Sequence, residues 1–196
     1  EVKTYIQDPN SLALIEKAYR YAQGHHQGQF RRSGEPYMIH AAQVGYILAT
    51  MKVGPRTICA GLLHDVLEDC GVSDEEITML VEGVTKIGNL KFKDEKEYQA
   101  ANHRKIFIAM ANDIRVIVIK LVDRLHNMRT LQYMPPEKQQ KIAAETLQVY
   151  APIAHRLGIS EIKNELEDLS FYYLDREKYY EIAHLVEEKR AMRDEQ

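Results

Sequence analysis

Ile58-Cys59-Ala60-Gly61-Leu62-Leu63-His64-Asp65-Val66-Leu67-Glu68-Asp69 is an apolar run that ends on a histidine, an aspartate and, one turn further on, a second acidic pair. It reads as a helix that carries half of a metal site. A neutral imidazole and an adjacent carboxylate can both ligate a divalent cation, while Glu68 and Asp69 lie close enough to orient a water molecule or move its proton. A His-Asp dipeptide alone is weak evidence, because a buried histidine is more often a hydrogen-bonded core residue. The remaining ligands must come from elsewhere in the chain.

Two other segments offer them. His40 lies in Glu35-Pro36-Tyr37-Met38-Ile39-His40, and Asp123 lies in Leu121-Val122-Asp123-Arg124-Leu125-His126-Asn127-Met128, each a polar residue set in an otherwise apolar helical pattern. Charged side chains are rarely buried without a partner, and one shared cation would satisfy all four groups. His40, His64, Asp65 and Asp123 come from three helices, so the site exists only if those helices pack together. A set of two imidazoles and two carboxylates without a thiolate suits manganese, iron or zinc, and ligand type does not choose among them. Such a cation polarises a phosphoryl group and lowers the pKa of bound water, which points to hydrolysis. A phosphate substrate also needs positive charge, and Arg31-Arg32-Ser33-Gly34, ahead of His40, offers two guanidiniums and a hydroxyl.

Composition narrows the class. The 196 residues can bury a real core. Their 26 basic and 29 acidic side chains nearly cancel, so the chain lacks the global field of a general nucleic-acid binder, and an anionic ligand must meet a local cluster. Two cysteines, Cys59 and Cys70, are too few for a disulfide scaffold and match no zinc spacing, which fits a reducing cytosol. No run approaches the ~20 apolar residues of a membrane span. The opening Glu1 in place of methionine points to a trimmed chain.

Apolar residues recur at helical spacing almost throughout, which predicts an all-α fold. Leu12, Ile15, Tyr19 and Ala22 mark a first helix, with Ser11 as its cap and Gly24 as its end. A second helix starts near Pro36 and carries His40, Val44, Ile47, Leu48 and Met51 to the Gly54-Pro55 break, and Pro55 opens the third. Ser73 and Glu76 form a capping-box pattern for a fourth, residues 83–93 read as loop, and residues 94–112 as a fifth. Asp113 caps a sixth, apolar at Ile114, Ile117, Val118, Leu121, Leu125 and Met128, with Asp123, Asn127 and Thr130 on a common polar stripe. His126 lies about 300 degrees round that helix from Asp123 and is a candidate supporting residue; His25, His26, His103, His155 and His184 read as surface or structural. Pro135-Pro136 ends the unit. Beyond it, Ile142, Thr146, Val149, Ile153 and Leu157 form a long helix that Pro152 kinks and Gly158 stops. Two further helices, marked by Ile162, Leu166, Leu169 and Tyr173 and by Tyr179, Ile182 and Val186, are expected to pack on it as a small bundle.

Arg31-Arg32-Ser33-Gly34-Glu35-Pro36-Tyr37, Leu62-Leu63-His64-Asp65-Val66-Leu67-Glu68-Asp69, Asp113-Ile114-Arg115-Val116-Ile117, Lys120 to Leu131 and Ala151-Pro152-Ile153-Ala154-His155-Arg156-Leu157-Gly158 strongly resemble the RelA/SpoT-type alarmone enzymes. Together these motifs cover nearly the whole chain. The resemblance implies the hydrolase domain of that family, an all-α HD-domain bundle that uses Mn2+ to remove the 3′-pyrophosphate of guanosine tetra- or pentaphosphate, (p)ppGpp, in the stringent response. Carried over to this sequence, it implies His40, His64, Asp65 and Asp123 as metal ligands and Glu68 and Asp69 as the catalytic pair. It likewise implies Arg31, Arg32, Ser33, Asn127 and Thr130 as substrate contacts. Arg32 stands where the family often has lysine and Cys70 where threonine is common. Between Ile77 and Thr78 the chain is about ten residues shorter than the family pattern.

The resemblance further implies a boundary, with residues 1–134 as the HD-type hydrolase domain and 135–196 as a short C-terminal helical segment toward a covalently linked synthetase domain. A cytoplasmic enzyme with no membrane or direct nucleic-acid partner follows. The competing reading is a catalytically degenerate regulatory HD domain that binds nucleotide and controls the synthetase.

Overall fold

The computed structural model describes the backbone of residues 1–69 and 113–194 and the side chains of residues 1–66 and 113–189. Every regular element among them is helical; the one β-type pairing is an isolated bridge between Phe30 and Pro36. The expected all-α class holds. The Ser73–Glu76 capping box, the loop at 83–93, the helix at 94–112, Cys70 and the shortened segment at Ile77–Thr78 lie outside the described residues. Among the described residues, no helix is long and apolar enough to cross a membrane.

The chain divides into two compact units, Glu1–His126 and Asn127–Gln196. In the first, a short 3-10 turn (Val2–Thr4) precedes α1 (Pro9–His25), α2 (Tyr37–Thr50) and α3 (Pro55–Asp69), and α4 (Ile114–Arg129) follows. Two expectations for α1 are corrected. Its N-cap is Asp8, whose carboxylate accepts from the Asn10 and Ser11 N–H groups, because Pro9 fills the first helical position and costs no hydrogen bond there. The Ser11 hydroxyl instead donates to Asp8 at 2.6 Å. Gly24 is inside the helix, and the left-handed turn comes at Gly28, φ 78°. The buried face is also rotated: Ala18 and Ala22 are fully buried, whereas Tyr19 is 38% exposed.

Both α1 and α2 pack on α3. The α2–α3 crossing is close because each helix presents a glycine to a leucine of the other: Gly45 faces Leu62, and Gly61 faces Leu48. A Cβ on Gly45 would sit 2.8 Å from Leu62 Cδ2. Val44, Leu48 and Leu62 line this crossing, and Ile58 and Val66 are buried on α3, each worth about 1.5–3 kcal/mol of burial. Cys59, buried on α3, is a small apolar filler, its thiol pushed up to about 12 by burial and so inert. This crossing fixes His40 on α2 against His64 and Asp65 on α3.

α2 ends in a Schellman motif, with the Lys52 N–H donating to the Ala49 carbonyl at 3.0 Å and the Val53 N–H to that of Leu48 at 3.4 Å. Lys52 sits at φ 54°, where glycine is usual. Asp113 caps α4 as expected, accepting from the Arg115 N–H at 2.9 Å. The apolar stripe of α4 is buried at Ile117, Leu121, Leu125 and Met128, but Ile114, at its first turn, is 57% exposed.

The second unit contains the end of α4, a 3-10 turn (Leu131–Tyr133), α5 (Pro136–Glu145), a π-helical turn (Thr146–Tyr150), α6 (Ala151–Arg156), α7 (Ser160–Leu174) and α8 (Arg176–Asp194). α5, the π-turn and α6 are continuous, as the expected long helix. The π-turn has a local cause: Pro152 has no N–H for the Gln148 carbonyl and its ring displaces that carbonyl, so the ladder widens and the Ala151 N–H reaches back to Thr146. Gly158, φ 72°, ends α6 in a second Schellman motif, with N–H bonds from Gly158 to His155 and from Ile159 to Ala154, both 3.0 Å.

α7 packs on α5, the π-turn and α6 through Ile162, Leu166 and Tyr173. α8 departs from the expected bundle. Its first turns meet α7 through Tyr179, which makes edge contacts with Phe171 and Tyr172, but Ile182 and Val186 remain 50% and 46% exposed.

Candidate metal centre

His40, His64 and Asp65 are all buried and each offers a ligand atom, all within 4.8 Å of one another. His40 Nε2 lies 3.2 Å from Asp65 Oδ2 and 3.3 Å from Asp123 Oδ1. His64 Nε2 lies 3.1 Å from Asp65 Oδ1 and 3.7 Å from Asp123 Oδ1. Three helices converge as the sequence requires: α2 brings His40, α3 brings His64 and Asp65, and α4 brings Asp123.

The ring nitrogens are oriented from behind. His64 Nδ1 is 2.7 Å from the Gly61 carbonyl, which can only accept, so Nδ1 carries the proton and Nε2 faces the carboxylates. That Nε2 is buried and makes no aligned hydrogen bond, although Asp65 is within ion-pairing distance. Burial alone would pull the His64 pKa down, but Asp65 and Asp123 outweigh it and raise it to about 10. For Asp65, burial pushes upward and the His64 charge pulls harder downward, leaving the carboxyl well below its usual range. For Asp123, burial is likewise outweighed, here by its close contacts with the His40 and His64 rings and by the charge of His64. Two carboxylates and two imidazole nitrogens thus crowd one point, which requires positive charge between them. A proton on His64 meets that need partially; a divalent cation meets it with every donor at once. The residues present therefore fit a metal ion.

Two neighbours support this cluster. The Tyr37 hydroxyl donates to Asp65 Oδ2 at 3.0 Å, and the Tyr37 ring stacks on buried His26, 4.8 Å between centroids. His126 Nδ1 lies 2.7 Å from His40 Nδ1. Tyr37 has no sequence signal beyond its place in the Glu35-Pro36-Tyr37 motif. His126 has one, because about 300 degrees in one sense is about 60 degrees in the other, and so the same side of α4 as Asp123.

The remaining predicted residues are distributed unevenly. Arg31 is brought to the site, half-buried, with one guanidinium nitrogen 3.1 Å from His126 Nδ1. Arg32 is exposed on the same turn, which Gly34 closes at φ 84° with its N–H on the Arg31 carbonyl. The Ser33 hydroxyl donates to Glu35 at 3.1 Å. Glu68 and Asp69 are at the end of α3, and their side chains lie outside the described residues. Asn127 and Thr130 belong to the second unit, where the Thr130 hydroxyl is 3.4 Å from the Asn127 carbonyl.

Comparison with known proteins agrees with this chemistry. A family model described as HD domain matches residues 18–160. The chain is 46% identical to the bifunctional (p)ppGpp synthase/hydrolase SpoT of Escherichia coli K12 over 99% of its own length and 29% of that protein's. It is 45% identical to a guanosine-3′,5′-bis(diphosphate) 3′-pyrophosphohydrolase of Spiroplasma citri, over 99% of this chain and 27% of that one. It is 50% identical to a GTP pyrophosphokinase of Streptomyces coelicolor, over 96% and 23%. The chain thus spans about a quarter of the length of the curated relatives it matches. A solved structure reported as a metazoan ortholog of SpoT that hydrolyzes ppGpp superposes with a TM-score of 0.61 at 25% identity, covering 80% of this chain and 93% of that one. With buried His64-Asp65 at the heart of the matched region, the chain belongs to the HD-domain family and, within it, is similar to the RelA/SpoT-type alarmone enzymes.

Proposed function

We propose that this chain hydrolyses the 3′-pyrophosphate of guanosine tetra- or pentaphosphate to GDP or GTP plus pyrophosphate, with Mn2+ held by His40, His64, Asp65 and Asp123. The observation that carries the reading is the buried convergence of His40, His64 and Asp65 within 4.8 Å, next to a donor-only Arg31. When bound, the cation would polarise the scissile phosphoryl group and acidify a water. The chain's own residues supply the rest. His40 and His64 present bare nitrogens only if their far nitrogens keep their protons, as the Gly61 carbonyl ensures for His64.

Glu68 and Asp69, one turn beyond His64, are assigned to orienting the water and taking its proton. Arg31, Arg32 and Ser33 are assigned to the nucleotide's phosphates, for which a guanidinium pair is suited by shape as well as charge, and Asn127 and Thr130 to closing the substrate pocket. Residues 1–134 serve in this reading as the hydrolase domain and 135–196 as the segment toward a covalently linked synthetase domain. The setting is the cytoplasm and the stringent response. The names of the long relatives and the chain's quarter share of their length support these assignments.

Incubating metal-stripped protein with guanosine tetraphosphate, with and without Mn2+, and following pyrophosphate release tests the reading. Release only with Mn2+ is expected, and no release in either arm refutes it. Asp123→Ala should abolish turnover together with metal binding. Glu68→Gln combined with Asp69→Asn should abolish turnover and leave metal binding intact; retained turnover would remove that pair from the reaction.

A further inference from the structure

His126 sits between a substrate-side arginine and a metal-side histidine, and the chemistry of three nitrogens fixes where the protons are. Arg31 lies 3.1 Å from His126 Nδ1. A guanidinium has donors and no acceptor, so His126 Nδ1 must be the unprotonated nitrogen of its ring. The same Nδ1 lies 2.7 Å from His40 Nδ1. Two bare nitrogens would repel at that distance, so His40 Nδ1 carries a proton and donates it to His126. His40 in its neutral form is then the tautomer whose Nε2 is bare, and this is the nitrogen 3.2 Å from Asp65 and 3.3 Å from Asp123. His40 is 2% exposed and His126 7%, so water competes poorly for either ring.

We propose that His126 is a positioning residue: through Nδ1 it holds His40 in the tautomer and orientation that aim Nε2 at the metal ion, while Arg31, sharing the same lone pair as the longer arm of a three-centre bond, excludes the opposite tautomer. The inference rests on His40 being a metal ligand. It adds a residue that acts through the ligand histidine it holds. His64 achieves the same end with a backbone carbonyl at 2.7 Å. The two ligand histidines are therefore set by different devices, one built into α3 itself and one supplied across helices by α4.

The test has two independent readouts. The first is Mn2+ affinity of the purified protein, measured by the electron paramagnetic resonance of free Mn2+. His126→Asn keeps an acceptor, Oδ1, on the atom that corresponds to the imidazole Cγ, and should bind Mn2+ within a few-fold of the native protein. His126→Leu and His126→Gln, which remove the acceptor from that place, should bind about 10–100-fold more weakly. Equal affinity in native and His126→Leu proteins, or equal losses in His126→Asn and His126→Leu, overturns the proposal.

The second readout needs no variant that must fold. In 15N-labelled, metal-free native protein, two-bond ring correlations should show His126 Nδ1 as the unprotonated, pyridine-like nitrogen and Nε2 as the protonated one. The reverse pattern overturns the proposal. A native protein that takes up no Mn2+ would refute the metal reading of the cluster, and the His126 ring spectrum would still decide the tautomer.

Discussion

Among the described residues, the polar side chains buried in Glu1–His126 are His26, His40, Thr57, His64, Asp65 and His126, whereas in Asn127–Gln196 they are Thr146 and Ser170. Both units have apolar helical cores, and both turn helix ends with Schellman motifs. They differ in what else is inside. Ionisable groups are costly to bury, and five of the six in the first unit can change charge or bind a cation, while both in the second are small hydroxyls. A helix needs no histidine to pack, so the first unit's buried set marks chemistry and the second unit's marks scaffold. The comparison can be broken from either side.

The largest effect is expected at Tyr37. Its hydroxyl is 3.0 Å from Asp65 Oδ2 and its ring is held by His26, so Tyr37→Phe removes one hydrogen bond and leaves the packing in place. Loss of such a support should weaken Mn2+ binding about 10–100-fold, with the thermal midpoint of the metal-free protein little changed. A large drop in metal-free stability with unchanged Mn2+ affinity would make Tyr37 a core residue like those of the second unit.

The pH dependence of stability separates the units next. The His64 pKa is raised from 6.5 to about 10, so its contribution is full below pH 6.5 and is lost as pH rises through about 10. The Asp65 and Asp123 values are lowered from 3.8, so theirs is present above pH 3.8 and is lost as pH falls below it. Chelator-treated protein should therefore melt highest between about pH 4 and 6.5. Saturating Mn2+ should flatten the alkaline decline, because the cation takes the place of the proton on His64. A metal-free melting temperature that is level from pH 6.5 to 10 would contradict the charge arrangement at the cluster.

How much of this the sequence carried follows from range. His40, His64, Asp65 and Asp123 were legible because each interrupts an apolar helical pattern, a local signal that needs no knowledge of packing. Tyr37 was not, because its partner is 28 residues away and a hydrogen bond across helices leaves no periodicity; for His126 the helical angle from Asp123 marked the side of α4 but not the partner, which lies 86 residues away. The cap of α1 went to Asp8 over Ser11 because Pro9 sets the helix start, a competition between two acceptable caps that spacing alone does not settle. The bundle expected of α8 was legible in its first turns only. Its later apolar residues keep helical spacing but remain exposed, and spacing does not say whether a face has a partner.

In the second unit, Ser170 offers a smaller test. Its hydroxyl is buried and makes no hydrogen bond, a state that costs about 1–3 kcal/mol relative to a satisfied group. Ser170→Ala should leave stability unchanged or raise it by up to about 1 kcal/mol in a denaturant titration. A loss beyond that would mean that the hydroxyl does have a role, and would bring the second unit closer to the first.

The smallest effect compares two helix ends of the same design. Lys52 and Gly158 occupy the same position of a Schellman motif, at φ 54° and φ 72°, after α2 and α6. A side chain there crowds its own backbone at a cost of about 1 kcal/mol, which glycine avoids. Lys52→Gly should accordingly stabilise the protein by about 0.5–1 kcal/mol, and Gly158→Ala should destabilise it by about the same, since a Cβ at Gly158 meets nothing within 4 Å and the cost is conformational alone. Paired denaturant titrations check both signs. If Lys52→Gly destabilises instead, the lysine side chain contributes something at the α2–α3 turn that outweighs the backbone strain, and the turn is part of what holds the His40 and His64 helices in register.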